Sequence, residues 1–298
     1  METIFITGAN GFLGQHLTLY FASKKFNVIA SGRGACRIPA KENFEYAELD
    51  LTNKQAVRKC LQLYQPSVII HAAAMSKPDE CNNNKEACFL HNVEATRYLL
   101  EAAQSFSPHF IYISTDFIFG ENGPHAEESK PAPLNYYGET KLMSEELVKK
   151  TELLNSIVRI VFIYGAVWEG MRASFLHWVK NNLEQNKKIK VVSDQQRTPT
   201  YVIDICNGIK KIIEQKANGT FHLAGKDIIS PYQMAISVAD VLGLDKSLIE
   251  NVTSETFPEP VIRAKKAGLK IDKAINRLGY SPLSFEKGVC LTFDKHKN

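Results

Sequence analysis

Short β-branched runs alternate with longer helical patterns through the first 160 residues of the chain. The strand-like runs are TIFIT (3–7), NVIAS (27–31), FEYAE (44–48), SVIIH (67–71), FIYIS (110–114) and SIVRI (156–160), with helical patterns that begin near Phe12, Lys54, Glu86 and Tyr136. Strands that alternate with helices pair in parallel through right-handed crossovers, and the helices cover both faces of the sheet. The sequence therefore predicts an α/β fold built on a doubly wound parallel sheet.

The alternation loosens after Tyr164, which predicts a second unit. A helix near 172–185, a strand near 188–192, the loop SDQQRTPT, a helix from Asp204 and a strand within TFHLAG (220–225) follow in turn. We expect residues 1–160 to form a dinucleotide-binding domain. Residues 161–298 should form a smaller α/β substrate domain at the carboxyl edge of the sheet, where such sheets bind ligands. The boundary is soft, because the chain is able to re-enter the first domain later.

Composition excludes several classes of function. Lysines and arginines are interspersed with acidic residues and the formal net charge is only +4, so no basic stripe predicts nucleic-acid binding. No apolar stretch reaches the roughly 18 residues that span a bilayer, which argues against a membrane segment. Six cysteines without a CxxC pair favour reduced thiols in a cytoplasmic protein. No acidic cluster indicates a metal site, and a homodimer is one candidate assembly.

A glycine-rich turn follows the first predicted strand. The segment GANGFLG places Gly8, Gly11 and Gly14 at the start of the first helix. Small residues permit a tight turn there and let a pyrophosphate approach the N–H groups of a helix N-terminus. The turn therefore predicts dinucleotide binding, and a glycine-rich turn without a ligand is the alternative.

The end of the second predicted strand indicates which dinucleotide is bound. The segment ASGRGACR has no carboxylate to accept from a free ribose 2′-hydroxyl, but it contains Ser31, Arg33 and Arg37. A guanidinium suits a 2′-phosphate, because it is fully charged and forms paired hydrogen bonds. We therefore predict NADP(H) as the cofactor. The alternative is that Arg33 is only an exposed loop residue.

The segment NYYGETK contains the most distinctive pair of residues. Tyr137 and Lys141 are four apart and share one face of a helix, whereas Tyr136 points about 100° away. A phenol has a pKa near 10, and a neighbouring ammonium favours the phenolate. The pair therefore predicts an acid–base catalyst for an alcohol or carbonyl oxygen. The alternative is that Tyr137 packs in the core while Lys141 lies in solvent.

A hydroxyl group is expected beside this pair. The segment FIYISTDFIFG places Ser114, Thr115 and Asp116 at the end of the fifth predicted strand, at the carboxyl edge of the sheet. There, a hydroxyl is able to donate to a carbonyl oxygen while Tyr137 protonates the same oxygen. The alternative role for Thr115 is to cap the turn that follows the strand.

Together, these segments resemble the extended short-chain dehydrogenase/reductases. The matching runs are GANGFLG, ELDLTN, HAAA, HNVEAT, STDFIFG, YYGETK and VRIVFIYG, and within this superfamily the chain is most similar to the dTDP-4-dehydrorhamnose reductase family. The resemblance implies a Rossmann domain and reduction, by NADPH, of the 4-keto group of a 6-deoxy sugar nucleotide. It makes Thr115, Tyr137 and Lys141 catalytic. The implied cofactor residues are Gly8, Gly11, Phe12, Leu13, Gly14, Arg33, Asp50, Leu51, Ala72, Ala73, Ala74, Tyr137 and Lys141.

The resemblance also implies a substrate side, formed by Ser76, Asp116, Phe117, Phe162 and Arg197. Related 4,6-dehydratases place an acid after the Thr-Asp pair, whereas Phe117 is unable to transfer a proton, so a reductase is favoured. Arg197 either pairs with a diphosphate or is a surface cation. Because several of these residues differ from the usual family residues, the sugar need not be the rhamnose precursor.

A second function remains open from the same motifs. The fold also serves as a non-catalytic, NADP-binding regulatory subunit, as in the β subunit of methionine adenosyltransferase, and DQQRTPT somewhat resembles that protein as well. Another reaction of the extended family on a sugar nucleotide is a further alternative.

Overall fold

The computed structural model describes residues 2–24, 26–39, 43–171, 173–257 and 260–294. Its strands are β1 (Thr3–Thr7), β2 (Asn27–Gly32), β3 (Glu45–Glu48), β4 (Val68–His71), β5 (His109–Thr115), β6 (Asn155–Ile160), β7 (Ile163–Tyr164), β8 (Ile189–Val192), β9 (Thr200–Tyr201), β10 (Gly219–His222) and β11 (Ile249–Val252). Its α-helices are α1 (Phe12–Ala22), α2 (Lys54–Tyr64), α3 (Pro78–Asn83), α4 (Lys85–Phe89), α5 (Ala95–Ala103), α6 (Tyr136–Lys149), α7 (Phe175–Glu184), α8 (Val202–Glu214), α9 (Pro231–Leu242), α10 (Asp272–Leu278) and α11 (Phe285–Phe293).

Seven strands form the central sheet in the order β10–β6–β5–β4–β1–β2–β3, and every pair is parallel. Ile4 of β1, for example, pairs with Val28 on one side and Val68 on the other. The predicted doubly wound parallel sheet is therefore confirmed. The order reverses between β1 and β4, and such a reversal opens a crevice beyond the carboxyl ends of the strands.

Helices cover both faces of the sheet, because alternate side chains of each strand point in opposite directions. Ile4 and Ile6 contribute to a core shared with α1, α8 and α10, whereas Phe5 contributes to the core shared with α2, α5 and α6. The middle residues of β1 are apolar because both faces of the sheet are buried there, as is usual in parallel sheets. The crevice therefore lies at the edge of a sheet whose two faces are both packed in hydrophobic cores.

A third core lies outside the central sheet. Helices α7, α9 and α11 pack around the two-stranded β8–β11 sheet through residues such as Leu176, Val238 and Val289. The chain does not stay in this unit after residue 160, because β10 pairs with β6 at the edge of the central sheet and α8 and α10 pack in its core. The division into two domains at residue 160 stays a prediction.

Two features are absent from the described ranges. No helix there is long and apolar enough to cross a membrane. No group of three or more His, Cys, Asp or Glu side chains among those residues is placed to hold a metal ion.

Candidate active site

A crevice of about 850 Å³ lies at the carboxyl edge of the sheet. Its walls come from the turns that follow β1, β2, β4, β5 and β6 and from the first turns of α6. It brings together every site residue predicted above except Arg197, namely Gly8, Gly11, Phe12, Leu13, Gly14, Arg33, Asp50, Leu51, Ala72, Ala73, Ala74, Ser76, Thr115, Asp116, Phe117, Tyr137, Lys141 and Phe162. Residues that are far apart in sequence therefore share one cavity.

The glycine-rich turn fits its predicted place between β1 and α1. Gly8 has a φ of +70°, and a Cβ there would lie 2.7 Å from the backbone of Ala73. A Cβ on Gly14 would lie 2.1 Å from the carbonyl oxygen of Gly8, so α1 approaches the turn more closely than any side chain allows. No side chain caps α1 at Gly11, which leaves N–H groups at a helix N-terminus facing the crevice.

The loop after β2 is held by Asn10, a residue of the glycine-rich turn. The Asn10 amide donates to the carbonyl oxygens of Arg33 (3.0 Å) and Ala35 (3.1 Å), and its Oδ1 accepts from the Arg37 N–H (2.9 Å). Arg33 and Arg37 both line the crevice. The neighbouring Ser31 Oγ is buried and has no hydrogen-bond partner among the described residues, so this end of the crevice presents an unused polar group beside two cations.

Tyr137 lies in the first turn of α6. That helix begins where Asn135 accepts from the Gly138 N–H (3.1 Å), as expected of an asparagine N-cap. The Tyr137 ring is 5.5 Å from that of Phe117, in an edge-to-face arrangement, and a hydrogen bond joins Tyr137 to Thr115. Tyr136 is not among the residues that line the crevice. Of the two tyrosines, Tyr137 therefore lines the crevice, and its catalytic role stays a prediction.

Thr115 closes β5 and is tied to its neighbours. Its hydroxyl donates to Asp116 Oδ1 (3.1 Å) and accepts from the Phe117 N–H (3.3 Å). Thr115 therefore caps the turn as well as lining the crevice, and its role toward a substrate oxygen stays a prediction. Burial raises the pKa of Asp116 to about 6, although the charge of Arg197 opposes that shift.

Lys141 is buried beneath the crevice and is not in solvent. Its ammonium donates to the carbonyl oxygen of Ile113 (2.7 Å) and lies 4.1 Å from the centre of the Tyr112 ring. Burial lowers the pKa of Lys141 to about 7, while the negative charge of Glu145 opposes that change. Lys141 therefore gains or loses its proton close to neutral pH.

The structure corrects one expectation about Tyr137. A lysine neighbour was expected to lower the pKa of its phenol, but burial raises that pKa above its ordinary value. The hydrogen bond with Thr115 lowers it only in part, and Asp116 raises it further. The physical reason is that burial removes water from the phenolate, and this desolvation is the largest contribution to the shift.

A buried ionic network supports the end of β5 from behind. Glu145 accepts from two nitrogens of the Arg159 guanidinium (2.9 and 2.8 Å) and from the Ser114 hydroxyl (2.6 Å). The opposite side of Arg159 donates to the carbonyl oxygen of Glu127 (2.9 Å) and contacts His222 of β10 (3.2 Å). Ser114 is therefore committed to this network, which leaves Thr115 as the hydroxyl at the crevice.

Arg197 lies in a smaller recess that shares Asp116 and Phe117 with the main crevice. Arg263 also lines this recess and forms an ion pair with Asp79 of α3 (2.8 Å). The Arg197 guanidinium donates to backbone carbonyl oxygens and to Gln195 Oε1 (3.1 Å). Two guanidinium groups therefore stand beside the acid that follows Thr115.

Among the crevice residues that the sequence did not indicate are two polar ones, Asn10 and His91. Asn10 belongs to the GANG turn, and a polar side chain inside a glycine-rich turn could have indicated a role in holding the next loop. His91 lines the crevice near Arg33 and Asp50, whose charges act on its pKa. It sits in a π-helical turn, Leu90–Glu94, between α4 and α5. No periodicity in the sequence predicts such a turn, although π-helical turns often occur at functional sites.

Known proteins resemble this chain along most of its sequence. The family model described as the RmlD substrate binding domain matches residues 1–298. Methionine adenosyltransferase 2 subunit beta of Rattus norvegicus is 34% identical over 270 residues, which cover 88% of this chain and 78% of that protein.

Two solved structures have the same fold at comparable identity. The dTDP-4-dehydrorhamnose reductase of Clostridium acetobutylicum is 30% identical with a TM-score of 0.86, and 98% of each chain is covered. The dTDP-4-dehydrorhamnose reductase of Bacillus anthracis, solved in complex with NADP, is 27% identical with a TM-score of 0.83 over the same shares. On the match across its full length, this chain belongs to the RmlD substrate-binding domain family.

Proposed function

We propose that this protein is an oxidoreductase that uses NADPH to reduce the 4-keto group of a 6-deoxy sugar nucleotide. One observation carries the proposal: Thr115, Tyr137 and Lys141 line the same crevice as the glycine-rich turn and Arg33. Phe117 follows the Thr-Asp pair where a dehydratase needs an acid, so the site has no group there for water elimination.

The crevice fits a phosphorylated dinucleotide. The close approach at Gly8 and the uncapped start of α1 suit a pyrophosphate, which the residues from Gly8 to Gly14 would hold. Ser31, with its unpartnered hydroxyl, would meet the adenosine ribose, and Arg33 and Arg37 would meet its 2′-phosphate. The Bacillus anthracis relative, which was solved with NADP, supports the same choice. When bound, this cofactor supplies a hydride.

Within this proposal, Tyr137 gives its hydroxyl proton to the substrate oxygen as negative charge develops there. The raised pKa suits this direction of reaction, because it keeps the phenol protonated at neutral pH until an alkoxide, a much stronger base, forms beside it. Thr115 orients the same oxygen by a hydrogen bond. Lys141 would bond the nicotinamide ribose and stabilise the phenolate that remains, until solvent returns the proton.

The substrate would extend from Thr115 toward the recess that contains Arg197 and Arg263. These two guanidinium groups suit the diphosphate of a nucleotide sugar, for which paired hydrogen bonds and full charge are favourable. Ser76, Asp116 and Phe162 line the crevice between this recess and the cofactor residues.

The proposal is tested by mixing the purified protein with NADPH and dTDP-4-keto-6-deoxy-L-sugars, followed by the absorbance of the reduced nicotinamide. We expect the absorbance to fall at a rate proportional to the protein concentration, with a 4-hydroxy sugar as the product. Absence of turnover with this and related keto sugar nucleotides bearing other bases would contradict the proposal.

A second candidate is favoured by the relationship to methionine adenosyltransferase 2 subunit beta, at 34% identity. In that case the crevice would hold NADP(H) while the chain regulates a catalytic subunit. Size-exclusion chromatography with a purified methionine adenosyltransferase catalytic subunit separates the two functions. A stoichiometric complex that survives Tyr137→Phe, together with no sugar reduction, would favour regulation over catalysis.

A further inference from the structure

Two cysteines lie side by side behind Tyr137. Cys81 of α3 and Cys88 of α4 are both fully buried, and the interaction between their thiols shifts the pKa of each. They form one apolar cluster with Tyr137, against which Met75, Phe117 and Tyr136 pack. The pair therefore touches the tyrosine to which we assign proton transfer.

The surrounding contacts fix both sulfurs. Cys81 Sγ donates to the carbonyl oxygen of Met75 (3.2 Å), which also accepts from the Asn92 amide (3.1 Å). The same amide donates to Cys88 Sγ (3.3 Å), and Cys88 Sγ lies 3.5 Å from the Thr140 hydroxyl on α6. Met75 and Asn92 thus bridge the two thiols from one side, while α6 covers the other.

The two thiols differ in acidity in the way that disulfide formation needs. The interaction with Cys81, together with Thr140 and the charge of Lys141, lowers the pKa of Cys88 to about 7, although burial opposes this shift. The same interaction and burial raise the pKa of Cys81. Cys88 is therefore the more acidic thiol of the pair, and Cys81 is the thiol that remains protonated.

We propose that Cys81 and Cys88 are a redox-active dithiol, which a peroxide converts into a disulfide next to Tyr137. The Cys88 thiolate attacks one peroxide oxygen, the O–O bond breaks, and the other oxygen leaves as water once protonated, giving a sulfenic acid. The Cys81 sulfur then attacks the Cys88 sulfur, its proton and the hydroxyl leave as a second water, and the S–S bond forms. Two thiols are oxidised and one peroxide is reduced.

The crevice comes within one residue of both cysteines. Glu80 and Ala87, the residues immediately before them, line it, whereas the two cysteine side chains are fully buried. A local opening of α3 or α4 must therefore expose the sulfurs to a molecule as small as hydrogen peroxide. The remaining cysteines do not share such a site. Cys206 packs in one core of the sheet, Cys60 against the other and Cys36 against a separate small cluster, while Cys290 is exposed.

Closing the disulfide should alter the site, an effect that rests on the proposed function. Bonded sulfurs lie about 2.05 Å apart, so α3 and α4 must move together and the hydrogen bonds to Met75 and Thr140 are lost. Helix α3 also carries Asp79, the partner of Arg263. Oxidation should therefore displace packing around Tyr137 and loosen the arginine recess at the same time.

The pair is tested chemically, without reference to activity. The full-length protein is treated with equimolar hydrogen peroxide, blocked with iodoacetamide, digested with trypsin and examined by mass spectrometry. Cleavage after Lys85 separates the cysteines, so we expect peptides 60–85 and 86–97 to be joined, and dithiothreitol to release them. Because peptide 60–85 also contains Cys60, the joined species should persist in Cys60→Ala and vanish in Cys81→Ala and in Cys88→Ala.

The opposite results overturn the proposal. It fails if the two peptides stay separate in the wild-type protein while Cys290 is oxidised, or if Cys60→Ala abolishes the joined species. Turnover is then compared between peroxide-treated and reduced protein, with peroxide-treated Cys88→Ala, which lacks the attacking thiol, as the control that should not lose rate. If the protein shows no turnover in either state, the mapped peptides still decide the chemistry, so failure of the assigned reaction and failure of the dithiol are distinguishable.

Discussion

Tyr137 packs as a core residue and lines the crevice at the same time, because its ring lies in an apolar cluster at the crevice wall. Lys141, which the alternative interpretation placed in solvent, is buried. Burial raises the pKa of the phenol, and a proton donor for a developing alkoxide benefits from that change. The same burial would be unfavourable for a base that must remove a proton from an alcohol.

We predict that Tyr137→Phe lowers turnover by at least about a hundredfold, the usual loss when a general acid is removed. Affinity for NADPH should stay nearly unchanged, since the ring and its packing remain. Steady-state rates and NADPH fluorescence titration measure the two effects. Tyr136→Phe is the matched control, because that neighbour does not line the crevice, and similar rates in the two variants would refute the assignment.

Arg33 carries the prediction about the cofactor. Arg33→Ala should weaken NADPH binding far more than NADH binding, because only NADPH has the 2′-phosphate that the guanidinium would pair with. Arg58→Ala, which removes an equal charge from the exposed side of α2, should leave both affinities close to wild type. Calorimetric titration with each cofactor gives the comparison. Equal losses for NADH and NADPH would remove the case for a phosphate contact at Arg33.

Residue types and their spacing predicted many of the residues that line the crevice. The four-residue spacing chose Tyr137 over Tyr136, and the turn after each strand carried the residues that the crevice collects. What spacing could not give is the pKa of a buried group, since desolvation depends on every neighbour in three dimensions. The acidity of Tyr137 and of Lys141 is therefore a property of the fold and not of their separation in sequence.

Elements with strong periodicity or clear caps were predicted to within a few residues. Helix α6 begins at Tyr136 as expected, since Asn135 caps it, and β1 has the predicted bounds. The helix expected from near Glu86 begins at Lys85, where Asn84 caps α4 through the Ala87 N–H (3.0 Å), and continues through the π-helical turn into α5. The short helix α3, which Pro78 opens, was not predicted. Six residues carry too little periodicity to indicate a helix of their own.

The approach of α6 to the turn after β5 makes an element-scale prediction. A Cβ on Gly138 would lie 2.1 Å from the carbonyl oxygen of Phe117, so Gly138→Ala must push the start of the helix away from Thr115. We expect a loss of stability of about 1–3 kcal/mol, as for other overpacked sites, together with a fall in turnover.

Urea unfolding and steady-state rates measure these effects. Glu139→Ala places alanine at the next, exposed position of the same helix and should leave both quantities near wild type. A Gly138→Ala protein as stable and active as that control would show that the turn and helix are free to separate.

At the scale of the whole molecule, the sequence could not show which later segments return to the central sheet, or where in it they pack. Strand β10 has four residues, and its place beside β6 depends on contacts made across more than sixty positions of the chain. One such contact is the buried pair of Arg159 and His222. Short strands carry little pattern of their own, so pairing over such separations is decided by the packing of the whole core.

Stability should fall on mild acidification. Burial lowers the pKa of four histidines from an ordinary 6.5, to about 4 for His16 and His109 and to about 3 for His71 and His222. Below pH 6.5 the unfolded chain therefore binds more protons than the folded chain. Stability is lost as the pH falls through that value. Asp116 and Asp204, with pKa values raised to about 6, act in the opposite direction between 3.8 and 6, but they are fewer.

Urea unfolding at about pH 7.5 and about pH 5.5 should differ by of order 1 kcal/mol for each buried histidine, less the opposing contribution of the two carboxyls. His109→Gln removes one imidazole and should show a smaller difference between the two pH values than the wild-type protein. A free energy of unfolding that is unchanged or higher at the lower pH would contradict this assignment of neutral buried histidines.

The return of β10 to the central sheet also limits how such chains can be recombined. A hybrid joined once, near residue 160, would take its cofactor half from one parent and its seventh strand from the other, and Arg159 would then have to find its neighbours in a foreign segment. An exchange that preserves the parental sheet needs several crossovers, with 202–222 and 269–280 kept alongside the first half. In this architecture, segments from both halves of the sequence must therefore be exchanged together. Exchange of whole halves is disfavoured by the path of the backbone.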